Sequence, residues 1–222
     1  MMVLAIETST PQGSVALLRD ERCIAQFQWM TAGHASQSAF PAVRKVLAEA
    51  QCAVREVDLF VAGRGPGNYS GMRMALTLVQ SLALVQNAEV QTADSGAVLA
   101  DAVFDESDSA SVTLVGDARR GQIWTGVFNR SDVLRSPCGG WMLLHPDQLV
   151  TASLSEVVAT SEWDRMSLIF SEYPAVAALR WMEGSRYPTA EQLARLVLRR
   201  RAAGYPGDPL TPLYLHPAVK GG

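Results

Sequence analysis

Met2 to Ile6 is a short apolar run, Thr8 to Gly13 is rich in turn residues, and Ser14 to Leu18 is apolar again. Cys23 to Trp29 then alternates Cys, Ile, Ala, Gln, Phe, Gln, Trp. This pattern predicts three consecutive antiparallel strands joined by short turns. From Ser36 to Ala50, Phe40, Val43, Val46, Leu47 and Ala50 recur at three- and four-residue spacing, one face of an amphipathic helix. Leu59 to Ala62 reads as a buried strand, Ser70 to Val85 as a second helix, Glu89 to Ala93 as a strand and Ser95 to Phe104 as a third helix. Three strands, then helix, strand, helix, strand, helix, predict an α/β lobe built on a mixed sheet.

FDESDSAS, Phe104 to Ser111, is acidic and polar and reads as a boundary, after which the pattern starts again. Val112 to Gly116 is a strand, DARRG a tight turn and Gln122 to Phe128 a second strand, which suggests an internal duplication. Residues 1–105 are therefore expected as a first lobe and 106–222 as a second, reduced one. The later pattern predicts a helix around Pro146 to Leu149 or Leu154 to Thr160, a strand from Met166 to Phe170 and a helix from Thr189 to Ala203. That last helix and the tail are candidates to pack back on the first lobe. Arg199, Arg200 and Arg201 suit the negative end of its dipole.

With 222 residues, 48% of them hydrophobic, the chain can fill a sizeable core. A formal net charge of -3 leaves no electropositive footprint for direct nucleic-acid binding. Three widely spaced cysteines without a CxxC pair fit reduced thiols. The first residues lack the basic flank of a signal peptide and no apolar run is long enough to span a membrane, so a cytoplasmic protein is expected.

GRGPGNYSGMR, residues 63–73, is the most conspicuous stretch. Gly63, Gly65 and Gly67 permit unusual backbone angles, Pro66 fixes a turn, and Asn68 or Ser70 can cap the helix that follows. Free N–H groups at a helix start can bind an anion, but a Walker loop needs a lysine that is absent here. Taken alone, the loop reads as a strand-to-helix turn. IETSTPQGS places the Glu7 carboxyl at a strand end before hydroxyls and a glycine, and DARRG repeats an acid and a glycine in a turn between strands. Two such hairpins suggest two lobes facing a cleft.

LAIETST, GRGPGNYSGMR, the histidine in GHASQ, GDARRGQIW and the late PLYLHP, in this order and spacing, resemble the TsaB (YeaZ) family of bacterial tRNA threonylcarbamoyladenosine biosynthesis, often described as glycoprotease-like or M22 peptidase-like. The resemblance covers nearly the whole chain, strongest over residues 2–128. Departures from the family's GPGSFTGxRIG fall at Asn68, Tyr69, Ser70, Met74 and Ala75, and Glu7 stands where many members have Asp.

The resemblance implies an actin-like ATPase fold of the sugar kinase, Hsp70 and actin superfamily, with a reduced second lobe. It implies a non-catalytic scaffold pairing with a catalytic TsaD-like paralogue, working with a TsaE-like ATPase and reaching tRNA through the complex, or forming a homodimer when alone. Partner-binding residues implied are His34, Phe40, Val43, Leu47, Met72, Met74, Ala75, Leu78, Val79 and Leu82. A vestigial nucleotide or anion site would use Glu7, Thr8, Ser9, Gly65, Gly67, Asn68, Gly71, Asp117, Arg119 and Gly121, with ATP or ADP bound weakly and no required cofactor.

The residues themselves agree on two points. His34, His145 and His216 are never within four residues of each other, so the paired histidines at helical spacing that would hold a metal in the catalytic relative do not form, and neither HExxH nor GxSxG occurs. No catalytic residue and no metal ligand are assigned; His34 reads as a capping or surface residue. MRMALTLVQSLALV, residues 72–85, is apolar around most of its circumference, more than a one-sided surface helix needs. The competing reading is an ATP-dependent enzyme with Glu7, the loop and Asp117 around a nucleotide; a peptidase is third.

Overall fold

The computed structural model describes residues 1–30, 36–152 and 155–216, without the side chains of 36–38. Strands β1 (Met2–Glu7), β2 (Gln12–Arg19) and β3 (Arg22–Met30) form the expected antiparallel meander. Helix α1 (Ser36–Glu49) leads to β4 (Leu59–Gly63), α2 (Tyr69–Leu84), β5 (Glu89–Ala93) and α3 (Ser95–Glu106). The sheet order is β3-β2-β1-β4-β5, with β4 parallel to β1 and β5 parallel to β4.

A second sheet repeats the opening of the first. β6 (Ser111–Arg119), β7 (Gln122–Asn129) and β8 (Cys138–Leu144) form an antiparallel meander, and β9 (Val157–Ala159) lies parallel to β6, giving the order β8-β7-β6-β9. Where a fifth strand would pair, one parallel bridge joins Val158 to Trp181. The remaining helices are α4 (Leu149–Ala152), α5 (Trp163–Ser171), α6 (Pro174–Ala177) and α7 (Ala190–Ala202).

Side-chain alternation distributes each strand between two cores. Leu4 and Ile6 of β1 and Phe60 and Ala62 of β4 face Val43, Val46, Ala75 and Val79 of α1 and α2. Val3, Ala5, Leu59 and Val61 face the other way, into a core shared with α3, α7 and the second sheet through Val98, Leu193, Leu114 and Phe128. Val115, Ile123 and Val158 close the far side of that sheet on Met166, Phe170 and Val176. The layers thus run helix, sheet, helix, sheet, helix: the actin-like fold, with a smaller second sheet.

Two expectations need correcting. Met166 to Phe170 is helical, within α5; a period of two would put Met166, Leu168 and Phe170 on one face, but Leu168 is 72% exposed while Met166 and Phe170, one helical turn apart, are buried. Of the two places offered for a helix, the one over Leu154 to Thr160 starts outside the described residues and holds β9 instead, whose Val157, Val158 and Ala159 are all buried beside β6. The Pro146 start is a 3-10 turn running into α4, and β8 carried no clear strand signal. Among the described residues no helix is long and apolar enough to cross a membrane.

Candidate functional site

The 63–73 loop leaves β4 buried and enters α2, whose first turn Asn68 caps by accepting Gly71 N–H on Oδ1 at 2.9 Å. Three more of the loop's amides are given away inside the chain. Gly65 N–H donates to Ser95 Oγ at 3.0 Å, Asn68 N–H to the Ser9 carbonyl at 2.7 Å and Arg64 N–H to the Ala93 carbonyl at 3.0 Å. Thr8 Oγ1 donates to the Gly71 carbonyl at 2.9 Å. The close approach explains two glycines: a Cβ on Gly67 would come within 2.2 Å of the Ser9 carbonyl, and one on Gly71 within 1.9 Å of the Thr8 carbonyl. Loop and hairpin are joined backbone to backbone, and the amides of Arg64, Gly65, Asn68 and Gly71 are spent inside the chain.

The two hairpins share a local geometry. Glu7 accepts Ser9 N–H on Oε1 at 2.7 Å, and Asp117 accepts Arg119 N–H on Oδ1 at 2.6 Å: each strand-end carboxyl takes the amide two residues on. Their electrostatics differ. Glu7 is fully buried, and desolvation lifts its carboxyl above the ordinary 4.5 against the pull of hydrogen bonds from Ser9 and Ser95. Asp117 is nearly buried but paired with Arg119 Nη1 at 3.1 Å and Arg165 Nη2 at 2.5 Å. Beside it Glu162, which accepts Asp117 N–H at 3.2 Å, is pushed up chiefly by burial. Gly121, at φ 72°, completes the turn with no neighbour. Asp117 is thus paired with the chain's own guanidinium groups.

The C-terminal tail joins these parts. Leu213 N–H donates to the Arg64 carbonyl at 2.8 Å, Tyr214 stacks on Tyr69 at 5.2 Å, and His216 Nε2 lies 2.6 Å from the Ala118 carbonyl. Asp208 anchors the tail to buried Arg200 of α7 at 2.8 Å. Arg199 pairs with Asp101 at 2.8 Å and Arg201 with Glu89, so the arginine run fastens α7 and tail to their surroundings.

A second locus lies between α1 and α2. A groove of about 510 Å³ is lined by Ala39 and Phe40 of α1 and by Tyr69, Arg73, Met74 and Leu78 of α2. Phe40 is 52% exposed, Met74, Leu78 and Leu82 are half-buried, and Leu84 and Val85 stand out at 83% and 88%. Of the residues expected to meet a partner, Val43, Leu47, Ala75 and Val79 instead face the chain's own sheet, because α1 and α2 turn these positions onto β2 and β4, and Met72 is buried as well. His34 lies outside the described residues. Tyr69, Arg73 and Tyr214 at the groove's rim were not singled out by periodicity; their signal lay in the loop and PLYLHP motifs. Among the described residues no group of three or more His, Cys, Asp or Glu side chains is placed to hold a metal ion.

A family model described as "TsaD: tRNA N6-adenosine threonylcarbamoyltransferase" matches residues 30–169. The chain is 33% identical over 128 residues to the "tRNA threonylcarbamoyladenosine biosynthesis protein TsaB" of Bacillus subtilis, the match covering 58% of this chain and 55% of that protein. It is 27% identical over 132 residues to the protein of the same name from Escherichia coli, covering 60% and 57%. The match therefore spans a little over half the length of these curated relatives. Among solved structures, "YeaZ from Pseudomonas aeruginosa" superposes with a TM-score of 0.79 at 28% identity, over 96% of this chain and 99% of that one.

Proposed function

Since the chain belongs to the threonylcarbamoyltransferase family, on its TsaB (YeaZ) branch, we propose that it serves tRNA threonylcarbamoyladenosine biosynthesis as a non-catalytic subunit that docks a TsaD-like catalytic paralogue on the α1–α2 groove. The observation that supports this most is the groove lined by exposed Phe40 and half-buried Met74 and Leu78, with half-buried Leu82 and exposed Leu84 and Val85 at the far end of α2. Leaving such side chains in water costs roughly 25 cal/mol per Å² relative to covering them, a gain that a partner's helices supply. The engagement of Gly65, Asn68 and Gly71 N–H and of the Asp117 carboxylate within the chain favours this reading over a nucleotide-driven enzyme. In this reading residues 1–105 are the docking lobe and 106–222 the reduced lobe. A TsaE-like ATPase joins the complex in the cytoplasm, and tRNA is reached through the paralogue.

The test is a pull-down with the TsaD-like and TsaE-like proteins of the same organism, followed by nucleoside analysis of tRNA from a deletion strain. Co-purification and loss of threonylcarbamoyladenosine are expected; normal modification in the deletion strain overturns the reading.

A further inference from the structure

The two sheets are linked covalently at one end of α3. The chain enters the second sheet from Glu106 at the end of that helix, reaching β6 at Ser111, and leaves it along residues 183–189 into α7, which packs on β1 and β2. The two crossings are tied to each other: Arg186 Nε pairs with Glu106 Oε2 at 2.9 Å, and Gln192 Nε2 donates to Asp105 Oδ2 at 3.3 Å. At 1.5 Å per residue, the 12 residues of α3 put its first turn about 18 Å from these crossings. No described segment of chain crosses there, and the second sheet is held through side chains.

Trp141 of β8 makes the central contact at that end. Its ring lies against two glycines on opposite sides of the boundary: a Cβ on Gly126 of β7 would come within 2.7 Å of the ring, and one on Gly96 in the first turn of α3 within 2.1 Å. Trp124 and Phe128 meet the ring at steep angles, each with centres 5.6 Å away. The indole N–H donates to Asp94 Oδ2 at 2.8 Å. Asp94 is the N-cap residue of α3, yet its side chain caps no amide of the helix. Its other oxygen lies 2.9 Å from Arg64 Nε but out of hydrogen-bond alignment. Among the described residues the indole is thus the one aligned donor to a carboxylate that is only 14% exposed. Arg64 in turn donates through Nη1 to the Pro209 carbonyl of the tail at 3.2 Å. A residue suited to capping its own helix is spent instead on the neighbouring sheet.

We propose that Trp141 is a latch: the second sheet pivots at the C-terminal end of α3, and the indole, seated between Gly96 and Gly126 with its N–H on Asp94, holds the opposite end closed. That end is also where β1 and β4 finish, since the Glu7 carboxyl, Gly63 and Ser95 meet beside Asp94. In proteins built of two hinged halves, a ligand bound between the halves commonly draws them together. Here a side chain of the chain itself does so, and closure needs no ligand. The core shared by α3, α7 and both sheets resists detachment, so the motion under the latch's control is a rotation about the pivot. The latch does not depend on what docks elsewhere on the chain.

The test is amide hydrogen exchange, read by mass spectrometry on the full chain and its Trp141→Phe and Gly96→Ala variants, with and without low urea. Trp141→Phe keeps an aromatic ring and removes the N–H. It is expected to raise exchange over residues 94–98 and 138–144 together by about tenfold or more, without urea dependence, and to leave β1–β3 unchanged. Gly96→Ala drives the ring from its seat and should raise exchange in the same two segments. Exchange over 94–98 left at the wild-type level by either variant overturns the inference, whether β8 frays alone or nothing moves. A rise of equal size in β1–β3 of Trp141→Phe, growing with urea, also overturns it, because Trp141 would then contribute to global stability alone.

Discussion

The Glu7 carboxyl rests on the bare α-carbon of Gly63: a Cβ built there would come within 1.9 Å of Glu7 Oε2 and 2.7 Å of Ser95 Oγ. Strand β1 ends on that carboxyl and the neighbouring strand β4 ends on that glycine, so one side chain occupies the place where the next strand omits its own.

Gly63→Ala is therefore expected to be strongly destabilising, by about 2–4 kcal/mol. Because the first obstacle is a side chain, Glu7→Ala in the same molecule should recover part of the loss. Gly71→Ala meets the Thr8 carbonyl instead, and no side-chain truncation makes room for it. Denaturant titrations of the two single variants and the double variant measure the coupling. Strictly additive losses for Gly63→Ala and Glu7→Ala would show that the contact does not limit the site.

Burial that lifts the Glu7 carboxyl has a pH signature. A carboxyl whose folded value lies above its unfolded one is favoured in the neutral form. Its contribution to stability is complete below the ordinary value of 4.5 and is lost as pH rises through the raised folded value. Glu7→Gln keeps the shape and stays uncharged, so its melting temperature should equal or exceed that of the wild type at neutral pH and converge with it in acid. Melting curves at a series of pH values check this; parallel profiles for the two proteins would mean that Glu7 is ionised at no cost.

The face of α2 divides into two kinds of leucine and valine neighbours. Leu78, which lines the groove, and Leu82 are only half-buried, whereas Val79 is fully enclosed under the sheet. Leu78→Arg should leave the fold within about 1 kcal/mol of wild type while abolishing capture of the TsaD-like paralogue. Val79→Arg should cost more than about 4 kcal/mol, because a charge enters the core unpaired. Thermal melts beside the pull-down separate the two. A folded Leu78→Arg protein that still captures the paralogue would move the interface elsewhere.

Much of this was legible in residue pattern. The meander of β1 to β3, the three helices of the first lobe and the repeat beginning at Val112 follow from apolar runs, period-two alternation and period-3.6 spacing bounded by turn residues. The second lobe was harder to read because its elements are short: β9 has 3 residues and α4 and α6 have 4 each, too few for a period to declare itself. Which residues of the site face outwards was not legible either. A helix that is apolar on two sides does not reveal which side its own sheet takes, and the structure gives Val43, Met72 and Val79 to the core and Phe40, Met74 and Leu78 to the surface. That the tail packs back on the first lobe was expected, but part of its hold is through backbone groups, Leu213 N–H and the carbonyls of Pro209 and Leu210, which no side-chain pattern encodes.

The arginine run at the end of α7, which dipole arguments alone would treat as a solvated helix end, contains a structural ion pair. Arg200 is 5% exposed, its Nη1 is 2.8 Å from Asp208 and its Nε donates to the Leu134 carbonyl at 2.7 Å. Asp208 also accepts from the Tyr205 hydroxyl, and its own carbonyl accepts from Thr92 of β5. Removing the carboxylate leaves a guanidinium inside the protein with too few acceptors, and breaking such a pair costs about 3–5 kcal/mol. Asp208→Ala should therefore lower the melting temperature by roughly 6–20 °C for a chain of this size. It should also loosen the tail, since Tyr214 and Leu213 hang from the same anchor, so paralogue binding weakens with it. Arg200→Met combined with Asp208→Leu removes both charges and should recover most of the stability. A loss below about 1 kcal/mol in Asp208→Ala would instead mean that water reaches Arg200 and that the pair is a surface contact.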